Sequence, residues 1–164
     1  MGKEIKGFVV NTKAYDDGDR DCGEWVSFPI TKEEMKLVYD RIGIDGTDFK
    51  EIFFDDFKTD VVGLREVLSV YTDIDELNYL ALYLSGLPPS ELAKLDAIAE
   101  TSPFKDIKSF INFAPNLDCY VLIDGVKNTE DLGNYYLYKS GMVQMPEEWK
   151  TGIDPKTFGE HIQK

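Results

Sequence analysis

The chain has 164 residues, of which 31 are acidic and 18 basic, so its net charge is −13. Apolar residues make up 43% and aromatic residues 13%, which is enough for a folded core and excludes a disordered acidic tail. The longest apolar run extends only from Tyr79 to Leu84, whereas a membrane-spanning helix needs about 20 residues, and the first residues lack the apolar stretch of a signal peptide. We therefore expect a cytoplasmic protein that contacts no membrane. We also expect no binding to nucleic acid, because the charge would repel a polyanion.

Short apolar runs in the first third of the chain predict strands. The runs are Ile5–Val10, Trp25–Phe28 and Ile52–Phe54, and they contain the β-branched and aromatic residues that strands favour. Pro29 ends the second run. Residues 13–24 are mostly polar, so they predict a loop between the first two strands.

A helix is predicted after the second strand. Thr31 and Glu34 have the spacing of a capping box, in which each side chain satisfies a backbone N–H at the helix start. Gly43 is suited to the helix end. Apolar residues recur between these signals at the spacing of one helix face: Met35, Val38, Tyr39 and Ile42. Residues 1–63 are therefore predicted to form an α+β lobe.

The second lobe, residues 64–101, is predicted to be a cluster of short helices. Asp73 and Glu76 mark the start of one helix, and Pro88–Pro89 ends it and begins the next. The apolar residues on the faces of these two helices are Ile74, Leu77, Ala81, Leu84, Leu92, Leu95 and Ile98. Ser102–Pro103 predicts the start of a further helix towards Ile107, Phe110 and Ile111.

The third lobe, residues 102–164, is predicted to be α+β again. Cys119–Ile123 suits a strand, and Thr129 opens a helix that ends at Gly141. Residues 146–164 suggest turns and one short helix. Three lobes of this size are too small to be robust alone, so we expect them to pack in series and share contacts. The acidity is concentrated in the first two lobes.

Cysteine and histidine, the residues that bind zinc and often act in nucleophilic catalysis, are scarce. Cys22, Cys119 and His161 are the only cysteines and the only histidine, too few for a zinc site. A disulfide between the cysteines is conceivable, but a reducing cytosol favours free thiols. An EF-hand loop that began at Asp17 would have a cysteine where glycine is required and Phe28 where glutamate is required. Nucleotide-binding and hydrolase motifs are absent from the sequence. The sequence therefore predicts no catalytic residue, no metal, no cofactor and no enzymatic activity.

The acidic residues and the tyrosines remain to be explained. Carboxylates can keep a protein soluble, or they can imitate the phosphates of DNA. Tyr135, Tyr136 and Tyr138 cannot all face one core, because adjacent helical residues point in different directions, so at least one should be exposed or lie in an interface. An enzyme with an unusual carboxylate site is a further hypothesis, and it requires a deep pocket with a raised carboxyl pKa.

Several motifs resemble the ArdA family of antirestriction proteins. The opening motif is Lys13–Gly18 followed by Gly23–Pro29, which is similar to the family's loop and its Gly-x-Trp strand. Asp17 stands where the family usually has asparagine. The other matching segments, in chain order, are Ile52–Asp60, Asp75–Asn78, Asn116–Tyr120, Asp131–Tyr136 and, loosely, Phe158–Gly159.

The resemblance implies an elongated chain of three small lobes that is usually a homodimer and is carried by mobile elements and phages. It also implies a DNA mimic that competes with DNA for the groove of the methyltransferase core of type I restriction-modification enzymes. The family segment that matches Glu130–Pro146 is tied to antirestriction and lies close to the dimer interface. Its candidate residues here are Glu130, Asp131, Leu132, Tyr135, Tyr136, Tyr138, Met142 and Val143.

The candidate DNA-mimic surface consists of acidic residues from the first two lobes. They are Asp16, Asp17, Asp19, Asp21, Glu24, Glu33, Glu34, Asp40, Asp45, Asp48, Asp55, Asp56, Asp60, Asp73, Asp75, Glu76, Glu91 and Asp96. The alternative is an acidic protein–protein interaction module without DNA mimicry. That alternative predicts an apolar patch as the binding site and little dependence of binding on salt.

Overall fold

A computed structural model describes residues 3–45 and 51–164 of the chain. Within these residues the protein has a three-stranded antiparallel sheet and eight α-helices, which confirms the predicted α+β class. The structure divides into two compact units, Met1–Val121 and Leu122–Lys164. No helix in the described ranges is both long and apolar enough to span a membrane.

The sheet confirms the three predicted strands. Its strands are β1 (Ile5–Asn11), β2 (Gly23–Phe28) and β3 (Ile52–Thr59), arranged in the order β2-β1-β3. In the register, Ile5 lies opposite Phe28 on one side and opposite Thr59 on the other.

Two helices accompany the sheet. α1 (Thr12–Asp16) occupies part of the segment predicted as a loop, so that prediction is wrong there. The cause is Asn11, whose side chain caps the helix by accepting a hydrogen bond from the backbone N–H of Ala14. α2 (Lys32–Arg41) begins with the predicted capping box, in which both hydrogen bonds are present. The Asn11 amide also donates to the Ile42 carbonyl oxygen, at 3.0 Å, and so ties β1 to the end of α2.

Three further α-helices lie in the described part of the first unit: α3 (Ile74–Ser85), α4 (Pro89–Thr101) and α5 (Ile107–Phe113). Asp73 caps α3, and Pro89 is the first residue of α4, as predicted. The predicted helix start at Ser102–Pro103 is wrong. Asp106 caps α5 instead, because its carboxylate accepts a hydrogen bond from the Ser109 N–H at 2.7 Å.

One hydrophobic cluster connects the sheet with these helices. The inner face of the sheet contributes Ile5, Val9, Val26, Phe28, Phe54 and Phe57, and α2 to α5 contribute buried side chains to the same cluster. Gly7 permits this packing, since a Cβ there would lie 2.6 Å from the Phe54 ring. Val61 and Leu64, on either side of the predicted boundary at residue 63, belong to the same cluster. The division into three lobes stays a prediction.

The predicted strand at Cys119–Ile123 is wrong. Ala114–Cys119 forms a 3-10 helix, and residues 120–123 have no regular structure. A strand needs a neighbour for its backbone groups. In the described chain, the strands belong to the β2-β1-β3 sheet. Val121 is 81% exposed, so the apolar run is not buried as a core strand would be.

The second unit contains three helices: α6 (Thr129–Asn134), α7 (Glu147–Lys150) and α8 (Pro155–Ile162). α6 continues into a π-helical turn, Tyr135–Lys139. The sequence predicted one short helix after residue 146, where the structure has α7 and α8. α6 and α8 approach closely at Gly133 and Gly159, where a Cβ on either glycine would collide with the backbone of the other helix.

Candidate interaction surface

Most of the acidic residues predicted for the candidate surface reach solvent. Glu24, Asp56, Glu76, Glu91 and Asp96 are half-buried, and Asp48 lies outside the described residues. The exposed ones are Asp16, Asp17, Asp19, Asp21, Glu33, Glu34, Asp40, Asp45, Asp55, Asp60, Asp73 and Asp75.

Four of the half-buried carboxylates form ion pairs. Arg41 donates two hydrogen bonds to Glu24, from Nε to Oε2 at 2.8 Å and from Nη2 to Oε1 at 2.6 Å. These hydrogen bonds lower the pKa of Glu24. The other pairs are Asp56–Arg65 at 2.7 Å, Glu91–Lys94 at 3.0 Å and Asp96–Lys3 at 2.7 Å. A carboxylate with its own cation has less charge to offer to a partner.

Backbone hydrogen bonds hold a second group of carboxylates. Asp73 accepts from the N–H groups of the first turn of α3, and Glu34 accepts from the Thr31 N–H in the capping box. Hydrogen bonds from Thr31 lower the pKa of Glu34 and so favour its ionised form. Asp60 accepts from the Glu4 N–H, and Asp19 from the Asp21 N–H. These acids remain at the surface, but they also have structural roles.

A third group reaches the surface without a partner in the described ranges. Its members form neither a side-chain hydrogen bond nor an ion pair with another described residue, and they define what we call the free carboxylates. They are Asp16, Asp17, Asp21, Glu33, Asp40, Asp55, Asp75 and Glu76. Glu66 and Glu100 have the same properties but were absent from the predicted set, although both lie in the acidic second lobe.

The cations are distributed unevenly around these acids. Lys36 is exposed on α2, the helix that carries Glu33 and Asp40, and Arg20 lies in the acidic loop after α1. Arg20 stacks on the Tyr15 ring at 4.2 Å. In contrast, residues 66–93, which include α3, contain no lysine or arginine. The charged residues of this stretch are therefore all acidic.

The predicted interface segment lies on α6, the π-helical turn and the residues that follow. Tyr138 is 46% exposed and Met142 is 73% exposed, which confirms that at least one of the three tyrosines faces solvent. The rings of Tyr135 and Tyr136 are half-buried and meet edge to face, with their centroids 5.5 Å apart. Glu130 is exposed, and Asp131, Leu132 and Val143 are half-buried.

A groove between α3 and α5 is also present in the first unit. Its volume is about 390 Å³, and it is lined by Asp75, Glu76, Tyr79, Lys108, Ile111 and Asn112. The two cysteines are free, Cys22 buried and Cys119 exposed. The described residues contain no cluster of histidine, cysteine and acidic side chains that could hold a metal ion.

Comparison with known families identifies a class of inhibitor proteins. Residues 8–163, nearly the whole chain, match the family described as "Antirestriction protein (ArdA)". A comparison with curated proteins finds no match. The chain belongs to the ArdA family of antirestriction proteins, which confirms the resemblance of its motifs. Membership implies action against type I restriction-modification enzymes by an inhibitor rather than an enzyme.

Proposed function

We propose that this protein inhibits type I restriction-modification enzymes by mimicking DNA. Its surface carboxylates occupy the DNA groove of the methyltransferase core and exclude the substrate DNA. The free carboxylates are the observation that carries this proposal, because no described cation neutralises them. Inhibition is competitive and involves no catalytic step.

The physical basis is the way proteins bind the DNA backbone. Duplex DNA carries one charge per about 1.7 Å of its axis, and a DNA-binding groove is lined with lysine and arginine to match. Carboxylate oxygens accept hydrogen bonds from those cations as phosphate oxygens do. Free carboxylates serve this role better than Glu24 or Asp96, since those side chains would first have to release Arg41 or Lys3.

The predicted homodimer belongs to the same proposal. Tyr138 and Met142 expose large apolar side chains in the second unit, and burying them in a symmetric interface would remove that surface from water. A dimer would also double the number of carboxylates on one inhibitor. We propose that the protein acts in the cytoplasm, where its target acts on DNA. Its gene would be carried by a mobile element, which inhibition of the restriction enzyme would protect.

A second candidate function is an interaction module whose acids only maintain solubility. Tyr71, Leu82 and Tyr79 favour it, because they expose 85%, 65% and 54% of their surface and so offer an apolar contact site. This alternative predicts that binding to the partner depends little on salt.

A competition assay separates the two functions. The purified protein is titrated against a type I methyltransferase core bound to its labelled DNA site, at about 50 and 200 mM salt. We expect displacement of the DNA and an inhibition constant that rises steeply with salt. Displacement that hardly changes with salt would favour the interaction module, and no displacement would contradict the proposed function.

A further inference from the structure

The groove between α3 and α5 combines charged and apolar groups in one place. Asp75 and Glu76 lie at the first turn of α3, and Tyr79 follows one turn later. Ile111 of α5 is half-buried and contributes to the apolar lining. Tyr79 is 54% exposed, so the groove is a surface feature that suits a side chain of another protein better than an enclosed small molecule.

The backbone that carries the two carboxylates is held by Asp73. Asp73 Oδ1 accepts from the N–H groups of Asp75, at 2.7 Å, and Glu76, at 3.2 Å, which holds the first turn of α3. Lys108 lines the groove, yet forms no ion pair with either carboxylate in the described structure. Burial raises the pKa of Tyr39, and the nearby Asp75 raises it further.

The outer face of α3 continues this surface with apolar side chains. Asp75, Tyr79 and Leu82 are spaced at i, i+4 and i+7, which places them on one face of the helix. The opposite face is buried in the core through Leu77, Leu80, Ala81 and Leu84. Tyr79 and Leu82 therefore face away from the core, next to the carboxylates of Asp75 and Glu76.

Charge complementarity defines the occupant that fits. A guanidinium can pair with a carboxylate and stack on an aromatic ring, while an apolar neighbour packs on Tyr79 and Ile111. We propose that the α3–α5 groove receives a segment of the inhibited enzyme that presents an arginine beside an apolar side chain. This inference rests on the proposed function and adds to it a contact that the DNA backbone cannot make, because a phosphate offers no aromatic ring to the arginine.

The experiment uses the competition assay with variants of the full-length protein. Tyr79→Ala removes the ring, Tyr79→Phe keeps it, and Tyr71→Ala removes an exposed tyrosine that does not line the groove. Circular dichroism checks that each variant folds. We expect Tyr79→Ala to raise the inhibition constant about tenfold at both salt concentrations, the size of a partly desolvated cation–π contact. The slope of the logarithm of the inhibition constant against the logarithm of the salt concentration should stay unchanged, because no charge is removed. Tyr79→Phe and Tyr71→Ala should behave as the wild type.

The outcomes separate this inference from DNA mimicry. If the wild type displaces DNA and Tyr79→Ala has the wild-type inhibition constant, the groove inference is overturned and DNA mimicry stands. An equal rise of the inhibition constant in Tyr79→Ala and Tyr71→Ala would show that exposed apolar side chains contribute in general. That result would also overturn the groove inference. If the wild type displaces no DNA, both proposals are overturned together.

Discussion

Substitution of Gly133 by alanine should destabilise the second unit. A Cβ at this position would overlap the carbonyl oxygen of Pro155. It would also lie 2.6 Å from the Pro155 carbonyl carbon, whereas non-bonded carbons prefer about 3.5–4.0 Å. α8 would have to move away from α6 by about 1 Å, since the colliding atoms are backbone and cannot rotate away. Gly159 makes the reciprocal approach to the Thr129 carbonyl, so both glycines are needed where the helices cross.

The expected loss is about 2 kcal/mol in the free energy of unfolding. Overpacking of a tight contact costs about 1–3 kcal/mol, here at the upper end, and alanine recovers up to about 1 kcal/mol through its helix propensity. Gly152→Ala is the matched control in the same unit, because a Cβ there would lie 3.4 Å from its nearest neighbour, the Trp149 carbonyl oxygen. Its effect should stay within about 0.5 kcal/mol.

Hydrogen exchange with mass spectrometry is the assay, because it reports the opening of separate units within one protein. Peptides from residues 122–164 should exchange faster in Gly133→Ala than in the wild type or in Gly152→Ala, while peptides from the sheet should not change. Wild-type exchange in Gly133→Ala would refute the argument that the close helix crossing requires glycine.

Three further predictions follow from single contacts. Asn11→Ala removes the buried amide that donates to the Ile42 carbonyl and should lower the free energy of unfolding by about 3 kcal/mol, measured by urea denaturation; a loss below about 1 kcal/mol would contradict its role. Arg41→Gln should lower the urea midpoint at pH 7. Arg41 lowers the pKa of Glu24 in the folded state below 4.5, so the pair stabilises the protein above that pH. This stabilisation is lost as the pH falls through the lowered pKa, so the variant and the wild type should converge in acid; a constant difference would contradict the pairing. Tyr138→Glu should weaken self-association in analytical ultracentrifugation, and an unchanged dimer would place the interface elsewhere.

Local signals in the sequence predicted much of the fold. α2 and α3 were recognised because a capping residue and a one-sided apolar pattern lie within one or two turns of each other. The start of α5 was missed because Ser102 and Asp106 are both residue types that cap helices. Only the folded chain selects Asp106.

The wrong strand at Cys119–Ile123 has a different cause. Its apolar and β-branched residues suit a strand, but a strand also needs a partner that sequence alone does not supply. The chain turns at Cys119 out of a 3-10 helix, and Tyr120 packs its ring on Phe113 with their centroids 5.0 Å apart. Local composition therefore indicated a strand at a place where the described part of the chain provides no neighbouring strand.

The acidic surface was only partly predictable for a similar reason. The sequence shows where the carboxylates lie along the chain, and most of those predicted for the surface reach solvent. Which of them are neutralised depends on partners that are distant in sequence, such as Lys3 for Asp96 and Arg41 for Glu24. The distinction between free and paired carboxylates therefore required the folded structure.

The central claim is that particular carboxylates, rather than the net charge, replace the phosphates of DNA. Two triple variants with the same change in net charge test it in the competition assay. One neutralises free carboxylates of the first unit, Asp16→Asn, Asp21→Asn and Glu33→Gln, and the other neutralises exposed acids of the second unit, Asp124→Asn, Glu148→Gln and Glu160→Gln. The first set should reduce the salt slope of the inhibition constant by about three, one for each lost contact, and the second set should leave it unchanged. Equal effects of the two sets would contradict the account, since only net charge would then matter.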